Sequence, residues 1–391
     1  MSKYKKYNII LWMSMIAIIL ILLTACVNDK SVQTFKAKDI NSAINKKDSN
    51  ETTTNSLKKY KENKAYIGDL ELPISGATGY ASVNLELKAS ANVDSNTLNV
   101  YEAGTAFQIL KEDGDWWLVK RGNSSGWIQH KYCFINLPDV IPSIIYDNTN
   151  TYYSKFASSK KDIPGVSKNA LYPGKFYNDR LNREQYIMPV LYSMSKKIGN
   201  AQKQALSDGN SLKLYEGYRP YTVQKKVVES LTKLANNDPG VMQAINTQPW
   251  GMSWFITDRV SNHQMGYAID VSLVKVKSMQ EISIGTYTGL MITNYSEYIM
   301  PTEIHELSGA AAVFTTAVNS QNDIDWRSAT YLPAMNEAAI KLQNYCTNAG
   351  LTPLASEWWH FNDLAAKNAT RTNTSNGQYT LTEIYSSSPN N

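Results

Sequence analysis

Two short segments of this chain carry side chains suited to holding a metal ion. Residues 261–270 read Ser-Asn-His-Gln-Met-Gly-Tyr-Ala-Ile-Asp, and residues 357–360 read Glu-Trp-Trp-His. Together they offer two imidazoles (His263 and His360), one carboxylate (Asp270) and a further glutamate (Glu357). Three protein ligands that leave a fourth position open, with a base to take a proton from water, are the parts of a catalytic zinc site. The chain has four histidines, and two of them fall in these segments.

Local patterning supports this without settling it. Gly266 permits a turn after His263. Residues 267–273 have the β-branched and aromatic content of a strand, with Ala268, Asp270 and Ser272 on one face. The spacing is permissive: taken singly, His263 reads as a loop histidine and Asp270 as a capping or salt-bridging acid. In the second segment, an odd separation sends Glu357 and His360 to opposite faces of an ideal strand. Glu357 is therefore expected in the loop before the strand and His360 on it. The neighbouring aromatics would keep bulk water out and lift a carboxylate pKa. An aromatic core with a polar rim would explain the tryptophans but not the paired Glu and His. Arg219, in a Gly- and Tyr-rich turn held by Pro220, is the candidate for charge placed where an oxyanion develops, or for pairing with a substrate carboxylate. A solvated loop arginine is the ordinary alternative. Two histidines and an aspartate also accept cobalt or nickel.

The rest of the chain must position and deliver these groups. It starts with Lys3, Lys5 and Lys6, then an apolar run over residues 9–23, then Leu-Thr-Ala-Cys at residues 23–26. Small residues before a cleavage point mark an export signal. The cysteine after Ala25 resembles a bacterial lipobox, implying cleavage before Cys26 and lipid on its thiol; an uncleaved anchor is the alternative. Either places the remainder on the extracytoplasmic face of the cell membrane. Residues 26–70, rich in Asn, Ser, Thr and Lys, are expected as a flexible tether. The leader lysines supply three of the formal +5 charges, and no basic block suggests nucleic acid. Of the remaining cysteines, Cys133 and Cys346, a disulfide is permitted by the compartment, but two buried free thiols are the expectation. Twenty-five tyrosines and nine tryptophans suit surfaces that stack on sugars or peptides, as well as cores.

Between residues 71 and 137 short strands are expected. Val83, Leu85 and Leu87 alternate with polar residues, as do Phe107 with Ile109 and Trp117 with Val119, and Gly-containing turns separate the runs. Five or so strands argue for a small barrel. The succession of Leu98-Asn99-Val100, Gly104-Thr105, Trp116-Trp117-Leu118-Val119 and Gly126-Trp127-Ile128 resembles bacterial SH3-type domains, which commonly bind cell-wall peptides; a spacer is the alternative. Residues 138–370 mix helices and strands in an α+β pattern. Ile187, Val190, Leu191, Met194 and Ile198 suggest one helical face; Leu212 and Leu214 suggest a strand. Val223, Val227, Leu231 and Leu234 mark the next helix, and Met335, Ala338, Ala339, Leu342 and Cys346 a late one stopped by Gly350. The polar tail over residues 371–391 is expected to be disordered at its end.

Glu216-Gly217-Tyr218-Arg219-Pro220, then Ser-x-His-x-x-Gly-x-Ala-x-Asp, then Glu-x-Trp-His resembles, in kind and order, the D-Ala-D-Ala metallopeptidases, over about residues 137–363. The resemblance implies a compact α+β domain with zinc on a central antiparallel sheet, after a small all-β SH3-like barrel. It implies zinc held by His263, Asp270 and His360, Glu357 as general base, Arg219 stabilising the transition state and Ser261 lining the substrate pocket. Residues 300–308 and 357–361 are similar to the D,D-dipeptidases, whereas residues 263–266 are closer to the D,D-carboxypeptidases. His305 departs from the dipeptidase pattern, where an aromatic and an acid are commoner, and reads as a loop histidine, with contact to substrate as the alternative. His130 reads as a surface residue of the barrel. The expectation is a lipid-anchored zinc peptidase acting on D-Ala-D-Ala, free or on peptidoglycan stems, in wall remodelling or glycopeptide resistance. The rivals are a cross-bridge endopeptidase and an inert wall-binding lipoprotein.

Overall fold

Alternating apolar residues in the first half of the chain build a wholly antiparallel sheet. The computed structural model describes residues 64–389. The leader, Cys26 and the tether up to residue 63 lie outside the described residues. Seven strands run through the first region: β1 (Thr78–Ala81), β2 (Leu85–Lys88), β3 (Thr97–Tyr101), β4 (Ala106–Asp113), β5 (Trp116–Arg121), β6 (Ser124–Gln129) and β7 (Cys133–Asn136). An eighth, β8 (Pro189–Leu191), comes from beyond the expected junction and pairs with β7. The spatial order is β8-β7-β1-β4-β5-β6-β2-β3. Leu85, Leu87, Phe107, Ile109, Trp117 and Val119 are all buried, as their alternation requires. Cys133 and Cys346 are buried free thiols.

The β8 pairing corrects one helix. Val190 and Leu191 lie opposite Ile135 and Phe134 in the sheet, so helix α1 begins only at Tyr192 (Tyr192–Ser207). Its buried face is Met194, Ile198, Ala201 and Ala205. Helix α2 (Tyr221–Asn237) buries Val223, Val227 and Leu231, and α3 (Pro239–Ile245) is capped by Asp238. Helix α4 (Glu337–Asn348) is stopped by Gly350 at φ +88°. Among the described residues no helix is long and apolar enough to cross a membrane.

The second sheet is mixed, with antiparallel pairing at its centre. Strands β9 (Asn210–Glu216), β10 (Ala268–Ile284), β11 (Tyr287–Glu297), β12 (Thr352–Leu354) and β13 (Glu357–Asn362) carry it. The first part of β10 runs between β9 and β13. Beyond Val274, β11 takes over the side that β13 leaves, and the outer ribbon is largely exposed. Two-residue strands, Lys64–Ala65 and Ile145–Tyr146, add parallel edges. One contiguous apolar core includes side chains from both sheets, for example Phe134, Val190 and Ile269.

The tail differs from expectation over residues 371–389. It has no regular structure, yet Leu381 and Ser386 are buried. Tyr379 stacks on Tyr218 with centroids 5.2 Å apart, Tyr80 donates to the Glu383 carbonyl at 3.0 Å, and Ser386 donates to Asp139 at 2.6 Å. Polar composition alone suggested solvation; here the polar groups find fixed partners on the first sheet and the Tyr218 turn.

Candidate metal centre

Strand register assembles the centre. Asp270 on β10 lies opposite Glu216 on β9 and opposite His360 on β13. Directly paired residues project to the same face of a sheet with Cβ atoms about 5 Å apart. The pairing with β9 skips Tyr215, a bulge that brings Glu216 rather than its neighbour opposite Asp270.

A second irregularity corrects the placement of Glu357. Both Glu357 and His360 lie within β13, where an odd separation would part them. The register against β12 shifts between Pro353 and Leu354, leaving Trp358, Trp359 and His360 against no extra residue on the partner strand. That bulge cancels the alternation, and Glu357 Oε2 comes 3.7 Å from His360 Nδ1.

His263 arrives from a turn. Gly266 has φ +74°, and a Cβ on it would lie 2.2 Å from the Phe134 ring. The first sheet thus supports the loop that holds His263, and only glycine fits at the contact. His263 Nδ1 lies 2.7 Å from the Gly217 carbonyl. A carbonyl only accepts, so Nδ1 carries the proton and Nε2 presents its lone pair to the centre. His360 Nε2 lies 3.0 Å from Asn362 Oδ1, which also accepts from Asn262 at 2.6 Å. His360 therefore faces the centre through Nδ1.

Three acceptor atoms meet there. His360 Nδ1 is 3.0 Å from Asp270 Oδ1, His263 Nε2 is 3.4 Å from the same oxygen, and the two ring nitrogens are 3.2 Å apart. Ligand atoms about 2.0–2.1 Å from a tetrahedral zinc lie about 3.3 Å from one another. The triangle has that size, and with both ring protons directed outward it calls for a cation. His263, Asp270 and His360 form one group able to hold a metal ion. Burial, with the nearby Arg219 charge, lowers the His263 pKa against the pull of Asp270, keeping the imidazole in its ligand form. For Asp270, burial alone would raise the pKa, but the surrounding imidazoles, His263 first and then His305 and His360, bring it well below the usual carboxylate range.

Glu357 is pushed the other way. Burial, then the charges of Asp270 and Glu216, raise its pKa well above the usual range, with Arg219 opposing. Two buried carboxylates thus sit in one site with opposite proton affinities, the arrangement that separates a ligand from a proton carrier. A cavity of about 330 Å³ opens onto these groups, lined also by Ser261, Trp254, Phe156 and Trp359.

Arg219 is buried and largely committed. Its Nε donates to Glu216 at 2.6 Å, Nη1 to Gln224 at 2.8 Å and Nη2 to Asp270 Oδ2 at 3.1 Å, and its guanidinium lies over the Phe156 ring. It still lines the cavity. Ser261 reaches the cavity too, but its amide and hydroxyl both donate to Gln264 Oε1, at 2.6 and 2.8 Å. Gln264 in turn donates to the Arg219 carbonyl at 2.8 Å.

His305 is not a plain loop histidine. It is 1% exposed, lines the cavity and places Nε2 3.1 Å from Asp270 Oδ2. Three of the chain's four histidines therefore surround one carboxylate. The scarcity of histidine in the chain was the one sequence signal that could have found it. His130 is not a bare surface residue: its Nε2 meets the Gly114 carbonyl at 2.9 Å and its ring packs against Trp117 and Tyr192.

No protein-family model matches the chain, and no curated protein matches it in sequence. Among solved structures, it is similar to a zinc-bound variant of the vancomycin-resistance D,D-pentapeptidase VanY from a VanB-type cassette. That likeness has 14% identity and a TM-score of 0.23, over 55% of this chain and 90% of the other.

Proposed function

We propose that this protein is a zinc-dependent peptidase that releases D-alanine from D-alanyl-D-alanine termini at the cell wall. The observation that carries the reading is the acceptor triangle of His263, Asp270 and His360 with Glu357 beside it, buried at the floor of a cavity. The sequence motifs that resemble the D-Ala-D-Ala metallopeptidases supply the substrate class.

A zinc ion bound by these three residues would acidify a water molecule and polarise a carbonyl. Glu357, 3.7 Å from His360, would do the proton work. Its raised pKa suits a group that takes a proton from the attacking water and passes it to the leaving amine. Arg219 keeps a fixed positive charge at the cavity wall beside Asp270, where it would stabilise charge that develops on the substrate oxygen. The cavity lies at the lower end of the size range for small-ligand sites, which favours a short terminus over a cross-bridge held along an extended groove. Lipid attachment at Cys26 would place this chemistry outside the cytoplasmic membrane, and the first sheet would contribute wall binding.

The test is direct. Zinc-loaded protein is incubated with free D-Ala-D-Ala or with a pentapeptide stem ending in it, and released D-alanine is measured. Release from the stem alone marks a carboxypeptidase, and release from the free dipeptide marks a dipeptidase. No release from either by the metal-loaded protein overturns the proposal.

A further inference from the structure

We infer that His305 is a positioning residue of the metal centre, holding the outer oxygen of Asp270 so that the inner oxygen alone faces the ligand cluster. The inference rests on the metal-site reading above. Asp270 divides its oxygens by partner. Oδ1 meets His360 at 3.0 Å and His263 at 3.4 Å; Oδ2 meets Arg219 Nη2 and His305 Nε2, each at 3.1 Å. A carboxylate accepts only, so Nε2 carries the proton of the His305 pair. Two donors on one oxygen fix the carboxylate plane and leave a single oxygen for a metal.

The conformation of His305 is costly, which argues against simple space filling. Its φ is +63°, in the left-handed region that few non-glycine residues occupy and that costs backbone energy. Its Nδ1 is buried without a hydrogen-bond partner. A hydrocarbon side chain would avoid that second cost. The surroundings hold the strained backbone in place. Ala157 donates to the His305 carbonyl at 3.1 Å and accepts from Leu307 at 2.7 Å. Glu306 takes the backbone amides of Ser159 and Lys160 at 2.5 and 3.0 Å and the Ser308 hydroxyl at 2.6 Å. Phe156 stacks on the imidazole with centroids 4.5 Å apart, which sets the ring plane. Every one of these contacts leaves the Nε2–Asp270 hydrogen bond as the polar interaction the side chain makes.

The test compares His305→Phe, which keeps an aromatic ring but removes the donor, with His305→Gln, whose amide nitrogen stands the same number of bonds from the backbone as Nε2. Zinc affinity is measured by competition with a chromophoric chelator, and coordination by the visible spectrum of the cobalt(II)-loaded protein. Loss of a group that orients a ligand costs about 10–100-fold in metal affinity. His305→Phe is expected to show that loss, with a cobalt spectrum shifted toward higher coordination as Asp270 turns to offer both oxygens. His305→Gln is expected to recover most of the affinity and the original spectrum. Wild-type zinc affinity and an unchanged cobalt spectrum in His305→Phe would overturn the inference while leaving the metal site standing. A wild-type protein that takes up neither ion would overturn the metal reading, and this inference with it.

Discussion

Two buried aspartates, Asp139 and Asp270, show how one side chain type serves two ends. Asp139 lies at the junction between the two sheets, fully buried. It accepts from the Thr78 amide at 2.9 Å, the Ser386 hydroxyl at 2.6 Å and the Asn178 amide at 2.6 Å. All three are neutral donors from distant parts of the chain, and they satisfy the carboxylate. Asp270 is equally hidden, but its partners are three imidazoles and a guanidinium. Two of those imidazoles direct their protons elsewhere, to Gly217 and Asn362. Hydrogen bonds close the first site, whereas the second keeps lone pairs that only a cation or a proton can satisfy. Burial therefore does not distinguish structure from chemistry; the direction of the neighbouring protons does.

The comparison is most sharply tested by removing each acid. Asp270→Ala is expected to abolish stoichiometric zinc binding and with it peptidase activity, while Asp139→Ala keeps zinc affinity within about threefold of wild type, since it removes no ligand or ligand support. Metal content by atomic spectroscopy decides this, and loss of zinc in both variants would mean the two acids form one unit. Next in size, Glu357→Gln is expected to lower kcat by about 10²–10⁴ while retaining zinc, the range for removing a general acid–base group. Asp139→Ala is then expected to lower stability by about 3 kcal/mol or more, because three buried donors lose their acceptor. Urea unfolding of the two proteins measures it.

The smallest effect concerns a partly buried acid, Glu71. Burial pushes the Glu71 carboxyl up to about 7, against hydrogen bonds from Ser143. With its unfolded value near 4.5, the folded state binds more protons between these limits. The stabilising contribution is complete below the unfolded value and is lost as pH rises through about 7. A decline of about 1–3 kcal/mol between pH 5 and 8 is expected, absent in Glu71→Gln. Thermal midpoints of both proteins across that range check it; parallel curves would assign the pH response to other groups.

The pieces legible in the sequence were those written in local pattern. Leu85 and Leu87, or Trp117 and Val119, announce their buried face by alternation, and Val223, Val227 and Leu231 announce theirs by helical spacing. The ligand candidates His263, Asp270 and His360 were legible because few side chains bind a metal and this chain uses histidine sparingly. The start of α1 was misplaced because Val190 and Leu191 satisfy a helical stripe and a strand equally well, and pairing with β7 decided between them. Glu357 was put in a loop because a bulge, which breaks the two-residue period, leaves no local mark. His305 was passed over because nothing near it in the chain points to Asp270, 35 residues away.

The sequence by itself determined the candidate ligand residues, their order along the chain and the glycine that lets His263 turn inward. These follow from side-chain chemistry and from φ preferences, both properties of single residues. The tertiary structure alone decided that Glu216, Asp270 and His360 stand in one row across three strands, that both ring protons face away from the centre and that His305 and Arg219 share one oxygen. Those are matters of register and distance between segments far apart in the chain, fixed only when the sheet forms and the first sheet's Phe134 closes against Gly266.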